Sequence, residues 1–191
     1  MMGQMDINKK TLSYWKKYTL EWVTDLIVAA IVVYIITTFA LQNMYVIGDS
    51  MLPTLQHGET VLVDKLTYLF KEPNRHDIVA FKHLDGENTE INFVKRIVGI
   101  PGDKIEMIQN IIYVNSKPVS DPIKSDPNKN LEMRGNMTYP FVVPEGSYFV
   151  LGDNIENSID SRYHQVGIIP QKELIGKIII RIWPLWKLKV F

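Results

Sequence analysis

LIVAAIVVYIITTFAL, Leu26 to Leu41, has no charged side chain, no glycine and no proline, and its reading decides the architecture. A helix that crosses a bilayer needs about 20 mainly apolar residues. Trp22 and Val23 extend the run on one side and Met44 to Ile47 on the other, and no charge stands between Asp25 and Asp49. Tyr18, Trp22 and Tyr45 lie near the ends, where interfacial aromatic belts form. Asp25 falls in the first turns, at headgroup depth or near a helix start whose dipole favours an acid. A core helix of a soluble protein would show a polar face, yet only Thr37 and Thr38 interrupt the run. A cleaved leader would need small residues just after the apolar core, where the chain has Gln42, Asn43, Met44 and Tyr45. The sequence predicts one uncleaved span over residues 21–43.

Lys9, Lys10, Lys16 and Lys17 precede the span, and the next basic residue is Lys65. By the positive-inside rule, residues 1–20 are expected in the cytoplasm and 44–191 outside the cell membrane, in a single pass. The 191-residue chain carries 21 basic and 21 acidic side chains and no cysteine. Zero net charge argues against a nucleic-acid module, which would carry a basic stripe. Without cysteine there is no disulfide, no thiolate nucleophile and no thiolate-bound zinc. His57, His76, His83 and His164 show no metal-ligand spacing, and His76 and His83 are expected in turns facing water. No metal and no cofactor are expected.

Beyond the span the periodicity changes to alternation. Strands are predicted over Thr60–Lys65, Asp77–Lys82, Ile91–Ile100, Lys104–Ile108, Ile111–Val114, Ser147–Leu151 and Leu174–Ile182. Turn signals such as HGE, EPNRHD, HLDGEN and PGD separate them. Short helical stretches are expected around Lys65–Phe70 and Gln171–Leu174. The fold class is therefore mostly β: a transmembrane helix, then a compact β-rich domain. Residues 116–138, with three prolines and few large apolar groups, read as an irregular excursion. The closing IIIRIWPLWKLKVF has two readings: core packing, or an aromatic and basic patch touching lipid beside the anchor.

Nucleophile candidates reduce to a hydroxyl, a lysine or an acid. In GDSMLPTL, Gly48 to Leu55, Ser50 sits in a loop just outside the membrane. In INFVKRIVGI, period-two alternation puts Ile91, Phe93, Lys95 and Ile97 on one face, and Asn92, Val94, Arg96 and Val98 on the other. Apolar neighbours disfavour the Lys95 ammonium, which is what a lysine base needs, since a free lysine titrates near pH ~10.4. Alternatively, the side chain snorkels past an apolar edge. GDNIENSIDSR, Gly152 to Arg162, offers a dense polar loop. Either Asp160 pairs with Arg162 in a turn network, or a hydroxyl orients a neutral lysine amine.

These segments resemble the bacterial type I signal peptidases, membrane-bound serine proteases with a Ser/Lys dyad, in the single-span form of Gram-positive bacteria. The likeness runs in family order over nearly the whole chain: anchor, GDSMLPTL, VLVDK, RHDIVAF, FVKRIVGIPGD, YFVLGDN and NSIDSR. It implies Ser50 as nucleophile and Lys95 as general base. Met51 and Pro53 would support the nucleophile loop, Ser158 would hold the lysine amine, and Asp160 and Arg162 would form a supporting ion pair. Gly152, Asp153 and Asn154 would shape a wall of the site, with Asp103 structural. Gly48 stands where many Gram-negative members have a serine that helps form the oxyanion hole, so the Ser50 N–H would need another donor or a water. Arg75-His76-Asp77 replaces the usual Arg-Gly-Asp. The implied activity is removal of signal peptides from exported precursors after small residues, Ala-x-Ala-like, at the phospholipid membrane near the secretion translocon. Met44–Ile47, Val79, Phe81 and Ile91–Phe93 are expected to line the cleft. The competing expectation is a catalytically silent, membrane-tethered binding or assembly protein on the same scaffold.

Overall fold

The apolar run ends helix α1 (Gly3–Ile35), which loosens into a π turn over Ile36–Ala40. This computed structural model describes residues 3–84, 89–109, 111–120, 122–123 and 135–191, and side chains from residue 18 onward except 37. Tyr18–Ala40, 23 residues, is long and apolar enough to cross a membrane. Trp22, Leu26, Val28 and Tyr34 are among its exposed side chains, as in a helix meant for lipid and unlike a helix that buries one stripe.

The chain divides into Met1–Ala40 and Leu41–Phe191. Residues 41–43, expected to finish the span, instead open strand β1 (Leu41–Tyr45), with Leu41 opposite Asp64 and Tyr45 opposite Thr60 of β2 (Thr60–Asp64). Gln42 and Asn43 explain the difference: their amides suit a half-exposed strand, and the π turn ends the helix before them.

The remaining strands are β3 (Ile78–Leu84), β4 (Glu90–Gly99), β5 (Lys104–Ile108), β6 (Ile111–Val114), β7 (Lys117–Pro118), β8 (Phe141–Val142), β9 (Ser147–Leu151), β10 (Ile169–Pro170), β11 (Leu174–Trp183) and β12 (Lys189–Val190). One sheet runs β1-β2-β11-β3-β4-β9-β10, with β12 on β11, and a second runs β7-β6-β5-β8. The paired neighbours are antiparallel. All seven predicted strands form, within two residues at each end. Strands β1, β7, β8, β10 and β12 carry too few alternating apolar residues to stand out. Helix α2 is shorter than expected (Thr67–Phe70), and Gln171–Glu173 is one 3-10 turn. Of the 116–138 excursion, 117–118 form β7, while 121 and 124–134 lie outside the described residues. So do 85–88 of the HLDGEN turn.

Alternation along β3 explains the core. Ile78 and Ala80 join Met44, Val46, Met51, Leu55, Val61, Val63 and Ile178 on one face. Val79 and Phe81 join Ile97, Tyr148 and Val150 on the other. A third cluster, including Val98, Ile105, Ile112, Phe149 and Leu151, links the two sheets. At the carboxyl end Phe191 packs against the first cluster, whereas Trp183, Leu185, Trp186, Leu188 and Val190 are exposed, which removes core packing as their role. His83 lies in β3, stacked on Phe93 with ring centroids 4.9 Å apart, and not in a turn; His76 is exposed as expected.

Candidate active site

The ladder of β1 continues past its end, with Val46 N–H donating to Glu59 O (2.8 Å) and Gly58 N–H to Val46 O (3.0 Å). Gly48 then turns the chain at φ +85°, a conformation that favours glycine. Its N–H donates to His57 Nδ1 at 3.1 Å. Ser50 follows in a tight loop closed by Leu52 N–H to Asp49 O and Leu55 N–H to Met51 O. Met51 and Leu55 are buried in the first cluster and fix the loop from below, while Pro53 stays exposed.

Lys95 reaches the same point from β4, where it pairs with Val79. It is 4% exposed, its Nζ lies 2.7 Å from Ser50 Oγ, and it sits 5.0 Å from the centroid of the Phe93 ring. Burial pushes its pKa down from 10.5 to about 8, against the carboxylates of Asp160 and Asp153 and with help from the Arg162 guanidinium. The geometry matches the buried reading of the alternation and not a snorkelling side chain.

The polar loop closes over this pair. Asn154 donates its backbone N–H to Ser50 O (2.9 Å) and its Nδ2 to Asp49 O (3.0 Å). A side chain at Gly152 would overlap both the Ser50 carbonyl oxygen and the Ser158 hydroxyl, so this wall requires glycine. Arg162 donates from Nε to Asp160 Oδ1 (2.8 Å) and from Nη2 to Asp160 Oδ2 (3.0 Å), and Gly152 N–H donates to Asp160 Oδ2 (3.1 Å). The Asp160–Arg162 turn network of the first reading is therefore present. Ser158 is buried beside it, but its Oγ makes no hydrogen bond among the described residues, to Lys95 or to any other group. The expected contact between Ser158 and the lysine amine is absent because the hydroxyl faces Gly152.

One buried ion pair escaped the sequence. Arg96 forks onto Asp153, Nε to Oδ1 at 2.8 Å and Nη2 to Oδ2 at 2.7 Å, and its Nη1 donates to His76 O. Alternation had placed Arg96 on a face opposite Lys95. β4, flanked by β3 and β9, buries both faces in its second half, so Arg96 needs a partner there. The unbroken run after Arg96, Ile97-Val98-Gly99, was the available signal. Asp103 is structural as expected, bound by Arg75 Nη2 (2.6 Å), Ile100 N–H (2.7 Å) and Asn115 Nδ2 (2.7 Å).

A cleft of about 660 Å³ runs along Ser50 and Lys95, lined by residues 42–51, 91–95, Asn157 and Ile159. Val79 and Phe81, expected to line it, are fully buried beneath the sheet. Asn157 and Ile159, from the polar loop, take that place. Among the described residues no group of three His, Asp or Glu side chains is placed to hold a metal.

The family described as "Signal peptidase, peptidase S26" matches residues 19–183. A signal peptidase I of Bacillus licheniformis is 39% identical over 180 residues, covering 92% of this chain and 91% of its own. Signal peptidase I T of Bacillus subtilis (strain 168) is 37% identical, covering 88% and 84%. A solved signal peptidase I from Enterococcus faecalis V583 is 35% identical, covers 56% of this chain and 97% of its own, and superposes with a TM-score of 0.41. With the family match spanning the anchor, the Ser50 loop, β4 and the polar loop alike, this chain belongs to the bacterial type I signal peptidases of peptidase family S26.

Proposed function

We propose that the chain is a membrane-tethered serine endopeptidase that removes N-terminal signal peptides from exported precursors, with Ser50 as nucleophile and neutral Lys95 as general base. The observation that carries this reading is the 2.7 Å approach of Lys95 Nζ to Ser50 Oγ in a cleft that both residues line. Ser50 Oγ–H donates to the lysine lone pair, and as the proton moves to Nζ the oxygen attacks the scissile carbonyl. The ammonium then protonates the leaving amine, which frees the new amino terminus. Neutral again, Lys95 takes a proton from the water that opens the acyl ester. The Ser50 N–H faces the developing oxyanion, and with Gly48 in place of a serine a second donor comes from backbone, substrate or water.

An extended substrate suits the cleft. Among the described residues, β4 pairs from Glu90 to Lys95 with β3 alone, and β9 joins it from Arg96 onward. The free edge faces residues 44–48, so a peptide can add as a strand between them. Small residues at the first and third positions before the cut fit walls made by Ile91, Phe93, Met44 and Val46. Asp160–Arg162 and Arg96–Asp153 hold the walls, and Ser158 is the proposed hydroxyl that steadies the neutral amine when its side chain turns. The four lysines before the span support, by the positive-inside rule, an amino terminus in the cytoplasm and a β domain outside, near the translocon that delivers precursors.

The test is processing of an Ala-x-Ala precursor by the detergent-solubilised protein. Ser50→Ala and Lys95→Ala, folded by circular dichroism, should each lose cleavage. Normal cleavage by both variants would remove this reading, and no cleavage by the intact chain would leave the silent-scaffold one.

A further inference from the structure

The ring of His57 reaches the chain two residues before Ser50, where its Nδ1 accepts the Gly48 N–H at 3.1 Å. A ring nitrogen that accepts carries no proton, so the imidazole proton sits on Nε2. The Tyr45 ring meets His57 edge-on, with centroids 6.1 Å apart and planes at 82°, which limits rotation of the imidazole. The segment that carries His57 is fixed. Gln56 N–H donates to Glu59 Oε2 (3.0 Å) and Glu59 N–H to Gln56 O (3.2 Å). Buried Glu59 accepts Arg181 Nη1 on both carboxylate oxygens, at 3.0 and 2.9 Å. Lys187, in the 3-10 turn Leu185–Lys187, donates to Gln56 Oε1 at 2.6 Å, and Leu55 is fully buried. The carboxyl end of the chain thus holds residues 55–59 as a post.

Val46 commits both backbone groups to this post, donating to Glu59 O and accepting from Gly58 N–H. Along an extended antiparallel strand the backbone groups of successive residues point to opposite edges. Gly48 N–H therefore turns the same way as Val46, and Ile47 turns its N–H and C=O toward the other edge, in the cleft that residues 42–51 line. At Gly48 the ladder ends, because φ +85° takes the chain out of the strand. Here the His57 side chain supplies an acceptor in place of a backbone carbonyl. Packing does not hold this residue: a Cβ added at Gly48 would meet nothing within 4 Å.

We propose that His57 is a positioning residue for the substrate: its Nδ1 holds the Ile47–Gly48 end of the edge on which an extended precursor pairs. The proposal rests on the endopeptidase reading. Ser50 has its own supports, Asn154 N–H at its carbonyl and Met51 and Leu55 beneath it. Release of Gly48 therefore weakens peptide binding and leaves the dyad in place.

The test is steady-state cleavage of an Ala-x-Ala peptide by the full chain in detergent, for the intact protein, His57→Ala, His57→Gln and His57→Asn, each folded by circular dichroism. Asn Oδ1 stands two bonds from Cβ, as Nδ1 of the imidazole does, whereas the Gln oxygen stands one bond further out. His57→Ala and His57→Gln should raise KM by about 3- to 10-fold, the size of one lost hydrogen bond, with kcat within about twofold, the signature of lost uniform binding. His57→Asn should keep KM within about twofold of the intact chain. An unchanged KM in His57→Ala, a loss carried by kcat alone, or a His57→Asn variant as poor as His57→Ala overturns the proposal and leaves the endopeptidase standing. No cleavage by the intact chain overturns both. Nitrogen-15 spectra at alkaline pH, with the His57 signals assigned by their loss in His57→Asn, should show Nε2 protonated and Nδ1 bare. A proton on Nδ1 contradicts the bond to Gly48.

Discussion

As the proposed base, Lys95 joins two opposed requirements in one side chain: burial lowers its pKa toward that of a base, and burial of its charged form is unfavourable at neutral pH. With its pKa pushed down to about 8, roughly one molecule in ten holds a neutral amine at pH 7, against about one in several thousand for a free lysine. The stability consequence has a definite sign. Between about pH 8 and the unfolded value near ~10.4 the folded state binds fewer protons, so stability rises with pH across that window and is lowest below it. Lys95→Met should therefore raise stability at pH 7 by about 2–3 kcal/mol and gain little above pH ~10.4, measured as the denaturation midpoint in detergent at both pH values. An unchanged midpoint at pH 7 would mean that the ammonium is not desolvated. Ser158 offers a second expectation. Its hydroxyl is the proposed support of the amine, so Ser158→Ala should lower kcat by about 10- to 100-fold, the equivalent of a lost hydrogen bond of about 1–3 kcal/mol, with KM nearly unchanged. At this scale the approach of Lys95 to Ser50 was legible, because motif order pointed to both residues and one apolar face to Lys95. The orientation of Ser158 was not, since a hydroxyl rotor beside a glycine leaves no mark in the sequence.

At the scale of elements, the site is a strand and two loops locked by backbone contacts. β4 sends Lys95 toward Ser50 and Arg96 toward Asp153. The Gly152–Arg162 loop then grips the Ser50 loop through Asn154. Removing one member of a buried, forked ion pair leaves the other charge unsolvated. Arg96→Met should consequently cost about 3–5 kcal/mol, read from denaturant unfolding, and Arg96→Lys should recover only part of it because an ammonium cannot fork. Gly152→Ala presses a methyl group onto the Ser50 carbonyl. It should cost about 1–3 kcal/mol of stability and reduce kcat by more than that loss explains, because the displaced atoms carry Ser50, the proposed nucleophile. Long strands with alternating Val and Ile were legible from sequence, as were Asp160 and Arg162, two residues apart. Arg96–Asp153 joins residues 57 apart, and no local pattern encodes a partner at that separation. Val79 and Phe81 illustrate the same limit: alternation places them on a face, but only their packing with Ile97, Tyr148, Val150 and Ile169 shows that this face is sealed.

For the whole molecule, the chain divides between Ala40 and Leu41 into an apolar helix and a β domain. The long apolar helix was legible because a hydrocarbon core imposes a length and a composition. Its end was not, because uncharged Gln42 and Asn43 suit either a headgroup region or a sheet edge. A chain starting at Leu41 should fold in detergent and cleave a soluble peptide. One starting at Val46 loses β1 and should melt at a lower temperature, since Val61 and Val63 lose the cover of Met44. Equal melting temperatures would show that β1 adds nothing to the sheet. The central claim joins the buried amine to the hydroxyl beside it. Its most direct measurement is kcat/KM on an Ala-x-Ala peptide across the pH range, for the intact chain and for Lys95→Ala. The expected profile climbs tenfold per pH unit, levels off near the Lys95 value of about 8, and falls to background at every pH in the variant. A rate independent of pH below that value, or a Lys95→Ala variant that keeps the wild-type profile, would contradict it.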